Sequence, residues 1–174
     1  MKKLTLTLVI FITALISQNS DARTPRTVSE TIPSVETINK MINYFTECYG
    51  SKPAKEFPGM NLIYKSFTEG SEDKFPYMDE EIIIYGNNVK YDKKNNRIVS
   101  TSQNAWYFEY GHYKNDIYIV GFKIKKDRDK FVSNIKKSKY FKQEKNGISD
   151  YTMFGLMYEL GYDDGWHWVS FGIW

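Results

Sequence analysis

Residues 105–124 read AWYFEYGHYKNDIYIVGFKI. Two β-prone runs, Ala105 to Tyr110 and Ile117 to Ile124, flank a polar loop, His112 to Asp116. Aromatic and β-branched runs joined by so short a connection read as neighbouring antiparallel strands. A parallel pair would need a long crossover instead. This stretch therefore sets the expectation for the fold, and the same signature recurs on both sides of it.

Upstream, Asn61 to Phe67, Glu81 to Tyr85, Val89 to Lys90 and Arg97 to Ser102 read as strands. They are separated by the break Pro58-Gly59, the acidic segment 70–80 and the turn clusters Gly86-Asn-Asn88 and Asp92-Lys-Lys-Asn-Asn96. Turns this frequent fit an antiparallel meander rather than a βαβ sheet. Downstream, Ser149 to Leu160 and Trp166 to Ile173 read as two closing strands around the loop Gly161 to Gly165.

Two helices interrupt the pattern. Val35, Ile38, Met41, Ile42, Phe45, Cys48 and Tyr49 recur at three-and-four spacing, with Ser34 as N-cap and Glu36 in the first turn. Gly50 and Pro53 close this helix. The second carries Phe131, Val132 and Ile135 as a narrow apolar stripe. Asp127 reads as its N-cap, and Lys136, Lys137 and Lys139 lie at the favourable end of the helix dipole. No internal repeat is legible. The expected architecture is a single α+β domain: one curved antiparallel sheet of about 6–7 strands, an N-terminal helix, and a second helix before the last two strands.

The first residues, MKKLTLTLVIFITALISQNSDA, carry two lysines, an apolar run from Leu4 to Ile16, and small residues around a cut after Ala22. That is the layout of a secretory signal peptide, and the run is short of the ~20 residues a spanning helix needs. The expected organisation is a cleaved leader over 1–22, an arm over 23–33 and a domain over 34–174. A periplasmic or secreted location follows. Cys48 is the sole cysteine, which excludes an internal disulfide and multi-cysteine zinc sites. Its helical spacing reads as a small buried residue. The formal charge of +3 among 24 basic and 21 acidic residues is too even for a nucleic-acid binder.

No nucleophile elbow, phosphate loop or H-E-x-x-H helix occurs, and no metal or other cofactor is implied. Three weaker features remain. Aromatic residues make up 17% of the chain, densest around Trp106 to Tyr110 and in WHWVSFGIW at 166–174. On a strand, Trp166, Trp168, Ser170, Gly172 and Trp174 share one face, while His167, Val169, Phe171 and Ile173 share the other. Trp106, Tyr110, Trp166, Trp168 and Trp174 are therefore candidates for contacting a partner or ligand. The acidic segment, with Glu72, Asp73, Asp79 and Glu80, is a candidate for covering a basic cleft. Asp163 and Asp164 beside His167 form the most chemical-looking cluster, though a polar hairpin turn is the better account of them. Glu109 and Glu159 are the remaining carboxylates that a glycoside-cleaving pair would use.

With no catalytic set, the reading by elimination is an exported binding protein that inhibits or neutralises a partner protein, of the immunity or inhibitor type. A small-ligand or glycan binder is the alternative, and a hydrolase comes third.

Overall fold

A computed structural model of the chain describes residues 32–47, 53–70, 79–112, 115–143, 151–153 and 156–172. The expected leader, most of the arm, Cys48, Glu72, Asp73 and Trp174 lie outside the described residues.

The quoted stretch forms two paired antiparallel strands, β5 (Trp106–His112) and β6 (Asp116–Phe122). Before them come α1 (Val35–Thr46), β1 (Leu62–Thr68), β2 (Glu80–Asn87), β3 (Val89–Asp92) and β4 (Arg97–Ser100). After them come α2 (Lys125–Lys137), β7 (Phe141–Gln143), β8 (Tyr151–Met153), β9 (Leu156–Asp163) and β10 (Trp166–Gly172). Eight strands form one sheet in the order β1-β2-β5-β6-β10-β9-β8-β7, with every neighbouring pair antiparallel. The strand count differs from expectation because the run 149–160 contributes both β8 and β9, and the three-residue β7 carried no signal of its own.

The strand order contains a repeat that the residues do not advertise. Each half of the chain is one helix followed by a four-strand meander of the main sheet. The halves meet where their last strands, β6 and β10, pair. The hairpin β3–β4 is an insertion in the first half and forms its own two-stranded sheet.

The helices cover one face of this sheet. Ser34 caps α1, its Oγ accepting from Thr37 N at 3.0 Å. The α1 stripe Val35, Ile38, Met41, Ile42 and Phe45 is buried, and Phe45 stacks on Tyr110 of β5 with centroids 4.7 Å apart. Helix α2 begins at Lys125, so Asp127 sits in its first turn instead of capping it. Phe131 of α2 meets Phe122 of β6 at 5.3 Å. Beneath the helices lie Ile83, Tyr85, Phe108, Tyr118, Val120, Val169 and Phe171, all essentially without solvent contact. Thr31–Trp174 is one compact unit. Among the described residues no helix is long and apolar enough to cross a membrane.

Candidate functional site

The face turned away from the helices is where the sheet can meet a ligand, and strand register dictates what it presents. One row of paired residues runs Gly86, Tyr107, Gly121, Trp168, Gly161 across β2, β5, β6, β10 and β9. Aromatic residues and glycines alternate, and the rings lie over the glycines. A β-carbon on Gly121 would stand 2.0 Å from the Tyr107 ring, and one on Gly161 would stand 2.0 Å from the Trp168 indole.

The β3–β4 hairpin folds over this end of the face. Tyr91 stacks on Tyr64 at 3.9 Å, and the Trp166 indole donates to the Ile98 carbonyl at 3.0 Å. Trp166 also meets Tyr107 edge to face at 5.0 Å. The left-handed residues Asn88 and Asn96 turn the chain into and around this hairpin.

The next row runs Ile84, Glu109, Ile119, Ser170, Glu159, and the one after it Ile82, Gly111, Ile117, Gly172. Ile82, Ile84 and Ile119 pack with Val89, Tyr91 and Ile98 of the hairpin, and beside them a pocket of about 300 Å³ opens. Gly111 is its floor: a β-carbon there would meet nothing within 4 Å. Ile82, Ile117 and Ile119 wall it, and Glu80 stands at its rim. Glu81 and His112 also line the pocket, and Glu109 is set among these isoleucines. Among the described residues neither a hydrogen bond nor an ion pair reaches its carboxylate. Burial pushes that carboxyl above the usual glutamate value.

A second polar group lies on the helix side, at the turn between β5 and β6. Asp116 binds His112 Nδ1 at 2.8 Å and accepts from Tyr110 at 3.2 Å and Tyr118 at 3.4 Å. Thr46 and Tyr118 share a hydrogen bond of 2.8 Å. Burial, then the neighbouring Asp116, raise the Tyr110 phenol. Nearby, both Glu81 oxygens accept from Ala54 N at 2.9 Å, and burial raises this carboxyl as well. These groups satisfy one another and pin the segment 53–57 to the sheet edge, a structural arrangement.

The expected site residues divide accordingly. Trp106 and Tyr110 are buried under the helices at 6% and 3% exposure, so neither presents a surface to a partner. Trp166 is buried at 4% beneath the hairpin and is likewise a core residue. Trp168 shares its face, as alternation required, but is only half-buried. Asp79 accepts from Gly70 N at 2.8 Å and closes the acidic segment, whereas Glu80 reaches the pocket rim.

Asp163, Asp164 and His167 are not brought together. Asp163 and the left-handed pair Asp164-Gly165 make the β9–β10 turn, Asp163 accepting from Asp164 N at 2.9 Å. Asp164 faces Arg97 at 3.8 Å. His167 points to the helix side and packs against Tyr162, ring centroids 4.5 Å apart and the planes tilted by 34°. Its pKa is lowered by burial and by Arg128 and Lys125 of α2.

Glu109 and Glu159 do share a face and a row, with Ile119 and Ser170 between them. Three strand spacings of about 4.8 Å put their backbones roughly 14 Å apart. No three potential metal ligands cluster among the described residues.

The pocket itself escaped sequence reasoning. The signal was present in Tyr107-Phe-Glu-Tyr-Gly111: alternation puts Glu109 and Gly111 on the face opposite Phe108 and Tyr110. A charge and a glycine side by side in an aromatic strand mark a place where the strand is not packed by its own domain. The chain matches no family model, no curated protein and no solved structure.

Proposed function

We propose that this chain is an exported binding protein without catalytic activity, which neutralises or inhibits a partner protein through the open face of its sheet. The single observation carrying the reading is the pocket over Gly111, walled by isoleucines and open among the described residues. A volume near 300 Å³ is at the low end for a ligand site and suits one anchoring side chain. Interfaces draw most of their affinity from such anchors in desolvated pockets. Half-buried Trp168 and rim residue Glu80 supply flanking contacts on the same face. Export rests on residues 1–22 alone. The reading without catalysis is supported by the parting of His167 from Asp163 across the β9–β10 turn.

The test is capture followed by titration. Tagged protein is passed over envelope and secreted extracts, and a retained species is purified and titrated against it. The expected result is one-to-one binding that Gly111→Leu, which fills the pocket, reduces at least 10-fold. Retention of no species, or equal binding by the filled variant, overturns the proposal.

A glycan-binding reading has one observation in its favour, the Trp168 indole lying flat across Gly161 with one side toward solvent. It expects sugars to quench tryptophan fluorescence, and Trp168→Ala to abolish the change.

A further inference from the structure

We infer that the pocket over Gly111 takes an aliphatic stem ending in a cation, the side chain of a lysine or arginine on the partner; this rests on the binding role proposed above. Glu109 carries the argument. A carboxylate set among Ile82, Ile84, Ile117 and Ile119, without a hydrogen bond or ion pair among the described residues, is an incomplete pair. Among the described residues none gives it a cation, although lysines are plentiful in the chain. Lys65, on β1, extends to the opposite face and donates to the Ala54 carbonyl. Lys123 lies over Trp166, 5.3 Å from the ring.

The rest of the pocket fits the stem rather than the charge. Gly111 leaves the floor open beside Glu109 and isoleucines flank it, so a run of methylenes meets mostly apolar surface, although Glu81 and His112 also line the pocket. Glu80 at the rim adds a second negative charge at the entrance. An anionic or purely apolar anchor would leave Glu109 buried against it unpaired.

The experiment titrates the whole protein with Nα-acetyl-lysine methylamide, the arginine analogue and the norleucine analogue, following the Gly111 amide by NMR. Norleucine has the same stem without the charge. The expected result is saturable millimolar binding of a cationic probe, with norleucine at least 10-fold weaker. Whether lysine or arginine binds better identifies the partner residue. Norleucine binding as tightly as both cations, or no saturation by either, overturns the inference using unaltered protein. Glu109→Gln provides the second arm and is expected to weaken the better cation at least 10-fold; unchanged binding also overturns it. Against the captured partner, the two proposals separate. Loss with Gly111→Leu but not with Glu109→Gln leaves the binding role standing and removes the cation. Indifference to both removes the role as well.

Discussion

The two faces of the sheet are built from the same strands and solve different problems. Under the helices, register places Tyr85, Phe108, Tyr118, Phe122 and Phe171 side by side, each closed off from water by Phe45 or Phe131 or their neighbours. On the other face the same strands offer Gly86, Gly111, Gly121, Gly161 and Gly172 between sparse large residues. Large residues on one face and glycines on the other mean that one side is filled by the protein itself. The second is filled only in part, by rings laid flat and by the β3–β4 hairpin. Beside that cover, Glu109 and the open floor remain.

The contrast is broken most severely from the helix side. Phe108→Ala removes a fully buried ring beneath α1 and should cost about 3–5 kcal/mol. Chemical denaturation should show the loss as a lower midpoint. An effect under ~1 kcal/mol would mean that the helix face is not the principal core.

The second prediction compares two glycines on the open face. Gly121→Ala drives a methyl into the Tyr107 ring, itself held by Trp166 at 5.0 Å, and should cost about 1–3 kcal/mol. Gly111→Ala meets empty space and should be close to neutral. Thermal melts of the two variants, side by side, read the difference. Equal losses would show that Gly111 is as enclosed as Gly121.

This difference between glycines also explains what could be read in advance. Helices α1 and α2, the antiparallel sheet and the division of 166–172 into two faces followed from periodicity, because period 3.6 and period 2 are local properties. Strand partners are not local. Nothing in Gly111 or Gly121 alone says that one lies beneath a tyrosine and the other beneath nothing. That follows only from the register of β5 against β2 and β6. Burial of Trp106 and Trp166 was equally hidden. An indole on an amphipathic strand looks like a recognition residue until the cover, the helix layer in one case and the β3–β4 hairpin in the other, is known. Asp163, Asp164 and His167 are close in sequence, yet a two-residue turn and strand alternation send them apart.

The third prediction concerns that hairpin. Trp166→Phe keeps most of the apolar bulk and removes the hydrogen bond to Ile98, which should cost about 1 kcal/mol. Amide exchange in β3 and β4 should accelerate more than in β5 or β6. Uniform acceleration would mean that the hairpin is part of the global fold rather than a separately held cover.

The smallest effect has the most informative sign. Burial raises the Glu109 carboxyl above its usual 4.5, with nothing among the described residues to favour the ionised form. The folded state therefore holds this proton more tightly than the unfolded chain does. The stability gained from the protonated form is complete below the unfolded value and is lost as pH rises through the raised one. At neutral pH the ionised carboxylate is a liability to the fold, and Glu109→Gln should stabilise the protein modestly. That gain should vanish as the pH falls below the usual glutamate range. Melting curves of both proteins between acid and neutral pH check the prediction. A variant less stable than the parent at neutral pH would mean that Glu109 serves the structure. A more stable one means that the ionised carboxylate costs the fold stability, as the proposed cation site requires.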